Sequence, residues 1–387
     1  MDTKIIAIAV VAILVVAAGA VFIATSDKDD SSEDQVISAV ARVNTEGSGI
    51  YLKATYTPTD FYTKETDGTI KLIPAAWGGK VFGTPGTASI QHVQLQELVQ
   101  GMGLKFVKYD NSTQKSNDTV YYIDTVNTAD AAINKMANEL DGGILWQPQY
   151  VKITDDEKYQ PFLLTNDLFP GHTCCIIAGY TPYIEANRDA TVAFLAGYAK
   201  AVDFINEAKK DKTSEDYQKL LDICVKYTSG LNKEQIDAAL DTITYIYSDD
   251  STGSLEKLTK DVASLEKNLT SLGSIKVPLS DLGFENATEF AEKAVDDTFL
   301  KDALKSDIAK VDAKIKVTAI GGDIHQIALR VANDLGFFEE YGVTIEVNQV
   351  DNGAKVAQDL ISGNCQFGFL GAPPFTTNAV NQKAVTA

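Results

Sequence analysis

Three histidines and two adjacent cysteines are the residues of this sequence whose types could do chemistry. The histidines are His92, His172 and His325, and the cysteines follow His172 in the phrase FPGHTCC. Three imidazoles that converge on one cleft could hold a transition metal or hydrogen-bond an anion. Alternatively, His92 faces solvent beyond the site and His172 makes a structural hydrogen bond, which leaves His325 as the best single candidate for contact with a ligand.

The cysteines and the wider sequence favour binding over catalysis. Cys174 and Cys175 precede an apolar run, so we expect them to pack in a strand rather than to bind metal. The sequence contains no Walker loop followed by Lys-Ser or Lys-Thr, no H-E-x-x-H pair and no nucleophile motif. We therefore expect neither an enzyme nor a bound cofactor.

The elements that would position the third histidine are clearest towards the C-terminus. Short apolar or alternating runs predict strands at 315–319, 343–347 and 367–370. Asp323 is placed to cap the helix between the first two strands, and a turn at 351–353 opens the next helix. This β-α-β-α-β order with short linkers implies parallel strands. A three-stranded sheet with an unpaired edge must also pack against an earlier part of the chain.

Further segments of an α/β protein precede these strands. Residues 36–53 read as strand, turn and strand, and residues 78–170 alternate strands with helices. From about 183 to 309 apolar residues recur at spacings of three and four, which is typical of amphipathic helices. The chain therefore contains the parts of a mixed α/β fold.

The N-terminus carries an unbroken apolar run at residues 5–24, followed by an acidic segment. A helix of about 20 residues rises roughly 30 Å, which is enough to cross a bilayer. A retained anchor and a cleaved signal peptide are both consistent with this run, and either would export the rest of the chain. The formal charge of −19 argues against nucleic acid as a partner.

With its segments placed, the sequence resembles the substrate-binding proteins of ABC importers of the nitrate, sulfonate, taurine and bicarbonate class. Members open with a strand, a polar turn and a helix that closes in a phrase like GFFEEYG, as at 315–342. The phrase LISGNCQFGFLGAPP at 360–374 is similar to the next family segment, although Gln366 stands where an aspartate is usual. The phrases that come later in the family lie earlier in this chain, at 41–48, 79–89 and 144–148.

The rotated order of these segments implies a circular permutation. The implied fold class is α/β, a two-lobed type II periplasmic-binding-protein fold, circularly permuted, with an N-terminal transmembrane or signal helix. KAVTA at 383–387 and VISAV at 36–40 read as two versions of one strand. The alternatives are a fragment of a tandem array and a lobe completed by a second copy of the chain. The implied divisions are a transmembrane or signal segment (1–27), an acidic linker (28–35), part of lobe 1 with the first hinge (36–77), lobe 2 (78–172), the second hinge with the helical part of lobe 1 (173–310), and the start of lobe 1 in the family order (311–387).

The ligand of such a fold is expected at the carboxyl ends of parallel strands, where helix N-termini point N–H groups inward. The resemblance indicates the same loops. The candidate ligand-binding residues are Gly322, Asp323, His325, Gln326, Gly371, Ala372, Pro373, Thr84, Pro85, Gly86, Thr87, Ser89, Trp146, Gln147 and His172. No arginine lies in these loops, which weakens the case for a fully charged sulfonate or phosphate.

The resemblance implies an extracytoplasmic protein that captures a small anion or organic molecule between its lobes. It would deliver this solute to an ABC permease and its ATPase. The N-terminal helix would tether it to the extracellular face of the membrane, or cleavage would leave it periplasmic; the composition resembles that of an archaeal exported protein. One alternative is a membrane-anchored sensor without a transport role. Another is an enzyme similar to the thiamin pyrimidine synthases, which share the fold but have a longer cysteine run than the TCC found here.

Overall fold

The computed structural model describes residues 35–387 apart from 111, 113, 136, 137 and 229. The apolar run at 5–24 and most of the acidic segment after it lie outside the described residues, so the anchor and the signal peptide stay predictions. Among the residues that are described, no helix combines the length and the apolar character needed to cross a bilayer.

Two six-stranded sheets organise the described residues, and each sheet with its helices forms a lobe. The larger sheet has the strand order β11-β1-β10-β14-β12-β13 and the smaller sheet the order β6-β7-β5-β8-β2-β9, while β3 and β4 form a separate hairpin. The strands are β1 (Ile37–Glu46), β2 (Ser48–Lys53), β3 (Tyr62–Lys64), β4 (Ile70–Leu72), β5 (Val81–Gly83), β6 (Lys105–Lys108), β7 (Thr119–Ile123), β8 (Gly142–Trp146), β9 (Tyr159–Leu164), β10 (Thr173–Tyr180), β11 (Ile243–Tyr245), β12 (Ala313–Ile320), β13 (Val343–Val350) and β14 (Phe367–Gly371).

The helices fall between these strands and in a long run before β12. They are α1 (Pro74–Trp77), α2 (Ile90–Gly101), α3 (Gln149–Thr154), α4 (Thr165–Leu168), α5 (Thr181–Ala186), α6 (Arg188–Ala208), α7 (Glu215–Tyr227), α8 (Lys233–Asp241), α9 (Glu256–Ser271), α10 (Ala287–Ala294), α11 (Thr298–Ala303), α12 (Ile327–Asp334), α13 (Phe337–Glu340), α14 (Gly353–Ile361) and α15 (Ala372–Asn381). Short 3₁₀ turns lie at Pro58–Asp60, Leu279–Leu282 and Ile324–Gln326, and a π-helical turn lies at Ala131–Lys135.

The three C-terminal strands are parallel, which confirms the prediction from their short linkers. β12 pairs with β13 along its whole length and with β14 through Val317 and Thr318. The open edge that the sequence left on β14 is covered by β10, which pairs with it in the antiparallel direction, and β1 pairs with β10 in turn. Strands from distant parts of the chain therefore complete one sheet.

Side-chain caps begin three helices directly after parallel strands. Ser89 accepts a hydrogen bond from the His92 N–H at the start of α2, and Asn352 accepts one from the Lys355 N–H at the start of α14. Asp323 caps the 3₁₀ turn that leads into α12. Such caps satisfy N–H groups that have no partner within the helix, so each helix begins where its strand has just ended.

A stack of three aromatic rings joins the C-terminal segment to the helices that precede it. The ring of Phe194 on α6 lies 4.2 Å, centroid to centroid, from Phe367 on β14 and 5.1 Å from Phe338 on α13. All three side chains are buried. Burial of each ring contributes about 1.5–3 kcal/mol relative to exposure, so residues 311–387 share one core with the larger lobe.

The chain crosses between the sheets twice, between β1 and β2 and between β9 and β10. At the first crossing Glu46 and Gly47 adopt positive φ angles of 68° and 83°. β2 pairs with β8 and β9 of the smaller sheet. The expected division that kept 36–77 with lobe 1 and its hinge therefore differs from the structure, because β2 pairs within the smaller sheet and Phe61 and Trp77 pack in the core of the smaller lobe.

The two ends of the described chain meet on the larger lobe. The N–H of Val36 donates a hydrogen bond of 2.8 Å to the carbonyl of Ala384. Residues 383–387 form no strand, whereas β1 begins at Ile37. The interpretation of KAVTA and VISAV as two versions of one strand is therefore wrong. Only the second segment forms a strand, and the first contacts the residue just before that strand.

Candidate ligand-binding cleft

A cavity of about 380 Å³ lies between the two sheets. The residues that follow β12, β13 and β14 line it from the larger lobe, and those that follow β5, β7 and β8 line it from the smaller lobe. The lining residues are Pro85, Gly86, Ala88, Ser89, Ile90, Gln91, Asn127, Trp146, Cys174, Cys175, Ile320, Asp323, His325, Asp351, Asn352, Gly353, Ala354, Gly371, Pro373 and Pro374. Carboxyl ends of parallel strands from both lobes thus face one space.

Eight of the residues proposed from the sequence line this cavity. They are Pro85, Gly86, Ser89, Trp146, Asp323, His325, Gly371 and Pro373. The other seven do not: Gly322 is exposed, Thr87 is half-buried, and Thr84, Gln147, Gln326, Ala372 and His172 are held at neighbouring positions.

Local hydrogen bonds explain why three of these polar side chains stay out of the cavity. Thr84 Oγ1 lies 2.9 Å from His92 Nδ1. The Gln147 side chain donates to Thr242 Oγ1 at 3.1 Å, and Gln326 Oε1 accepts from the Ile320 N–H at 2.9 Å. These residues brace the loops that line the cavity.

Twelve lining residues were not among the candidates from the sequence, although Ala88 and Pro374 lie in the same loops as those candidates. One group had a usable signal, since the turn at 351–353 follows β13, a parallel neighbour of β12, and so must reach the same sheet edge. Asn127 follows β7 in the same way. The two cysteines gave no such signal, because a regular strand sends adjacent side chains to opposite faces.

The three histidines do not converge. Only His325 lines the cavity, and no group of three His, Cys, Asp or Glu side chains that could hold a metal occurs within the described part of the chain. The three-imidazole hypothesis is therefore wrong for these residues. The alternative, in which His92 faces solvent, is also wrong. This side chain is fully buried beside Phe106 and Tyr122, and burial lowers its pKa to about 4.

His172 lies just before β10, at the second crossing. Its Nδ1 atom is 2.8 Å from the carbonyl oxygen of Phe169. Burial lowers the pKa of His172, so the neutral ring donates this hydrogen bond. The structural role that was one of the two expectations for this residue is confirmed.

His325 lies between two hydrogen-bond acceptors. Its Nδ1 atom is 2.9 Å from Asp323 Oδ1 and its Nε2 atom is 3.0 Å from the carbonyl oxygen of Gly47. A neutral imidazole can donate only one of these bonds, so the pair of acceptors requires the imidazolium. Burial opposes the charge, but Cys174 and Asp323 outweigh it and raise the pKa of His325 to about 9.

The charges that line the cavity are largely balanced. Asp323 is paired with His325, and Asp351, whose side chain is exposed, lies 2.5 Å from Lys355 Nζ. No lysine or arginine is among the lining residues. The N-termini of α2, α14 and α15 add only partial positive charge. The cavity therefore offers hydrogen bonds and apolar contact, and its one lining cation, His325, is already paired with Asp323.

Cys174 and Cys175 are free, buried thiols on β10, and both reach the cavity. Their Sγ atoms lie 3.9 Å apart. This S–H···S contact lowers the pKa of Cys174 and raises that of Cys175. The expectation that they lie in a strand is confirmed, but the strand presents both of them to the cavity.

Solved structures similar to this chain include two binding proteins. One is the ligand-binding component of an ABC-type import system from Staphylococcus aureus with zinc bound, at 15% identity and a TM-score of 0.41, covering 67% of this chain and 75% of that one. The other is the periplasmic nitrate-binding protein NrtA from Synechocystis PCC 6803, at 13% identity and a TM-score of 0.48, covering 70% of this chain and 67% of that one.

No protein-family model matches the sequence, and the search among curated proteins returned no match. Similarity at such identities concerns the fold alone.

Proposed function

We propose that this protein is an extracytoplasmic solute-binding protein that captures one small solute between its lobes and delivers it to the permease and ATPase of an ABC importer. The observation that carries the proposal is the cavity between the two sheets, which six strand ends from both lobes line together. Ligands of open α/β sheets bind outside the carboxyl ends of the strands, close to helix N-termini.

Hinge closure is the proposed mechanism of capture. Glu46 at the first crossing accepts hydrogen bonds from the Gly171 N–H at 2.9 Å and from the Asn166 side chain at 2.8 Å, both at the second crossing. The two crossings are therefore bonded to each other and would bend as one hinge. Closure excludes water from the solute and creates the form that a permease would recognise.

The cavity supports a small, uncharged or zwitterionic solute. Its volume of about 380 Å³ corresponds to roughly a dozen water molecules. Trp146, Ile90 and Ile320 offer apolar contact, while Gln91, Asn127 and Asn352 offer hydrogen bonds. Since every lining carboxylate already has a cationic partner and no lysine or arginine is free in the lining, a divalent anion would be poorly stabilised.

Circular permutation and membrane tethering belong to the same proposal. The rotated order of the family-like phrases supports the permutation, as does the hydrogen bond between Val36 and Ala384. The apolar run at 5–24 would tether the protein on the extracellular face, and the acidic segment after it would keep the lobes within reach of the permease.

The first test is native mass spectrometry of the full-length protein, purified gently from its own host. We expect a retained small-molecule mass, which can be released, identified and added back. The two tryptophans give a matched pair for the second measurement, since Trp146 lines the cavity and Trp77 is buried against Phe82 in the smaller lobe.

In Trp77→Phe, which keeps only the cavity tryptophan, the returned solute should change the fluorescence. In Trp146→Phe, which keeps only the core tryptophan, it should leave the fluorescence nearly unchanged. Absence of any retained mass, together with an unresponsive Trp77→Phe protein in fractionated host extract, would contradict solute capture.

A further inference from the structure

Two adjacent cysteines facing one cavity require an irregular strand. In a regular β-strand successive side chains point to opposite faces. The pairing of β10 with β1 shifts register three times: Val40 is skipped between Ala39 and Ala41, and beyond the pair of Arg42 with Ile176, Cys175 pairs with Asn44 and Thr173 pairs with Thr45. Val43 and Cys174 are each left without a partner in the ladder. The last two shifts form a double bulge beside the cavity that Cys174 and Cys175 both line, and bulges that re-aim side chains are common beside functional sites.

The separation of the two sulfurs matches a chelating geometry. Zinc–thiolate bonds are about 2.3 Å long, and two such bonds at a tetrahedral angle hold their sulfurs about 3.8 Å apart. The Sγ atoms of Cys174 and Cys175 lie 3.9 Å apart. The separation of the sulfurs is therefore compatible with both of them binding one ion of this size.

We propose, on the basis of the solute capture proposed above, that Cys174 and Cys175 are two thiolate ligands for a soft d¹⁰ metal ion of the zinc group, and that the captured solute supplies the remaining donors. Binding releases one proton from each thiol to solvent and forms two metal–sulfur bonds without any change of oxidation state. Thiolates are the protein ligands that such ions prefer.

The surroundings explain why the protein supplies two ligands and no more. Both ring nitrogens of His325 are engaged, by Asp323 and by the Gly47 carbonyl. Asp351 lies at the rim with its side chain exposed. The cavity of about 380 Å³ in front of the sulfurs leaves room for a metal ion together with a small organic chelator.

The other two cysteines are matched controls. Cys224 on α7 and Cys365 before β14 are free, buried thiols like the first pair, but neither lines the cavity. Replacing each cysteine in turn by serine therefore makes the same chemical change at two buried positions that line the cavity and at two that do not.

The experiment is a titration of the reduced full-length protein, prepared without a polyhistidine tag, with Cd²⁺ as the probe. We expect one ion per chain by native mass spectrometry, with the ultraviolet charge-transfer absorption of cadmium thiolates. C174S and C175S should each weaken binding at least tenfold, whereas C224S and C365S should bind as the wild type does. Circular dichroism and thermal unfolding establish that each variant is folded, and C174A and C175A replace any serine variant that is not.

Two results would overturn the inference: a wild-type protein without the charge-transfer absorption, or an absorption that survives in the folded C174S/C175S double variant. The fluorescence of the Trp77→Phe protein separates this failure from failure of solute capture. A solute that still changes this fluorescence while Cd²⁺ does not bind rejects the dithiol site alone. Loss of both signals rejects both proposals.

Discussion

The Nε2 atom of His325 lies 3.0 Å from the carbonyl oxygen of Gly47. A loop of the larger lobe is thereby bonded to the point at which the chain crosses to the smaller lobe. The same carbonyl accepts a hydrogen bond of 2.9 Å from the Gln147 N–H, which follows β8. One peptide group of the hinge thus joins two loops that border the cleft.

Substitution of Gly47 should be costly because both its backbone and its surroundings require glycine. An added Cβ would lie 2.4 Å from His325 Nε2 and 2.7 Å from Ile243 Cγ1, at a φ of +83°. We expect Gly47→Ala to lower the free energy of unfolding by about 2–5 kcal/mol, from left-handed backbone strain and overpacking together. Urea denaturation measures this change.

Gly68→Ala is the control for the backbone contribution. Gly68 has a φ of +90°, but nothing lies within 4 Å of its added Cβ. Its substitution should therefore cost only about 1–2 kcal/mol. Equal losses at the two positions would show that the contact with His325 has no energetic weight.

The stability of the protein should depend on pH through His325. Cys174, Asp323 and the Gly47 carbonyl face this ring and raise its pKa from 6.5 to about 9 against the effect of burial. A raised pKa contributes stability in full below the unfolded value of 6.5, and the contribution is lost as the pH rises through about 9. The difference in unfolding free energy between the wild type and His325→Gln should therefore shrink across this window.

The stability of the protein should depend on pH through His92 with the opposite sign, and in a more acidic range. Burial lowers its pKa from 6.5 to about 4. The unfolded chain then binds more protons than the folded one between these values, so stability is lost as the pH falls from 6.5 towards 4. A His92→Gln protein that remains folded should lose less stability than the wild type in this acidic range. A profile in which both histidine variants act in the same window would contradict the two assignments.

The bonds of Glu46 should hold the two crossings together. Glu46→Ala removes the acceptors of the Gly171 N–H and of the Asn166 amide. We expect a loss of about 1–3 kcal/mol in unfolding free energy, since these partners are partly buried. Faster hydrogen exchange should appear at 165–172. Glu256→Ala, at an exposed position on α9, should change stability by less than about 0.5 kcal/mol.

A chain rebuilt in the order of the family that the sequence resembles should fold. Joining residue 387 to residue 35 by a short linker and opening the chain near residue 311 keeps every strand pairing described above. Because Val36 already bonds to Ala384, we expect the unfolding free energy to stay within about 1–2 kcal/mol of the original. A control chain that is opened inside the buried strand β12 should not fold. If the chain opened near residue 311 were as unstable as this control, the proposed permutation would be contradicted.

Much of this protein follows from local patterns in its sequence. Alternation and short linkers were enough to predict three parallel strands, since a strand of period two and a capped helix are decided by neighbouring residues. The rule that ligands meet strand ends then led to Pro85, Trp146 and His325, which all line the cavity.

The tertiary structure decided what depends on residues far apart in the chain. His92 and His325 are single histidines near helix starts, yet one is sealed among aromatic rings and the other is held as a cation by Asp323 and a peptide carbonyl 278 positions away. The double bulge beside the cavity that Cys174 and Cys175 line arises from pairing with a strand about 130 residues earlier. Charge state and side-chain direction are properties of the surroundings, and only the folded chain brings those surroundings together.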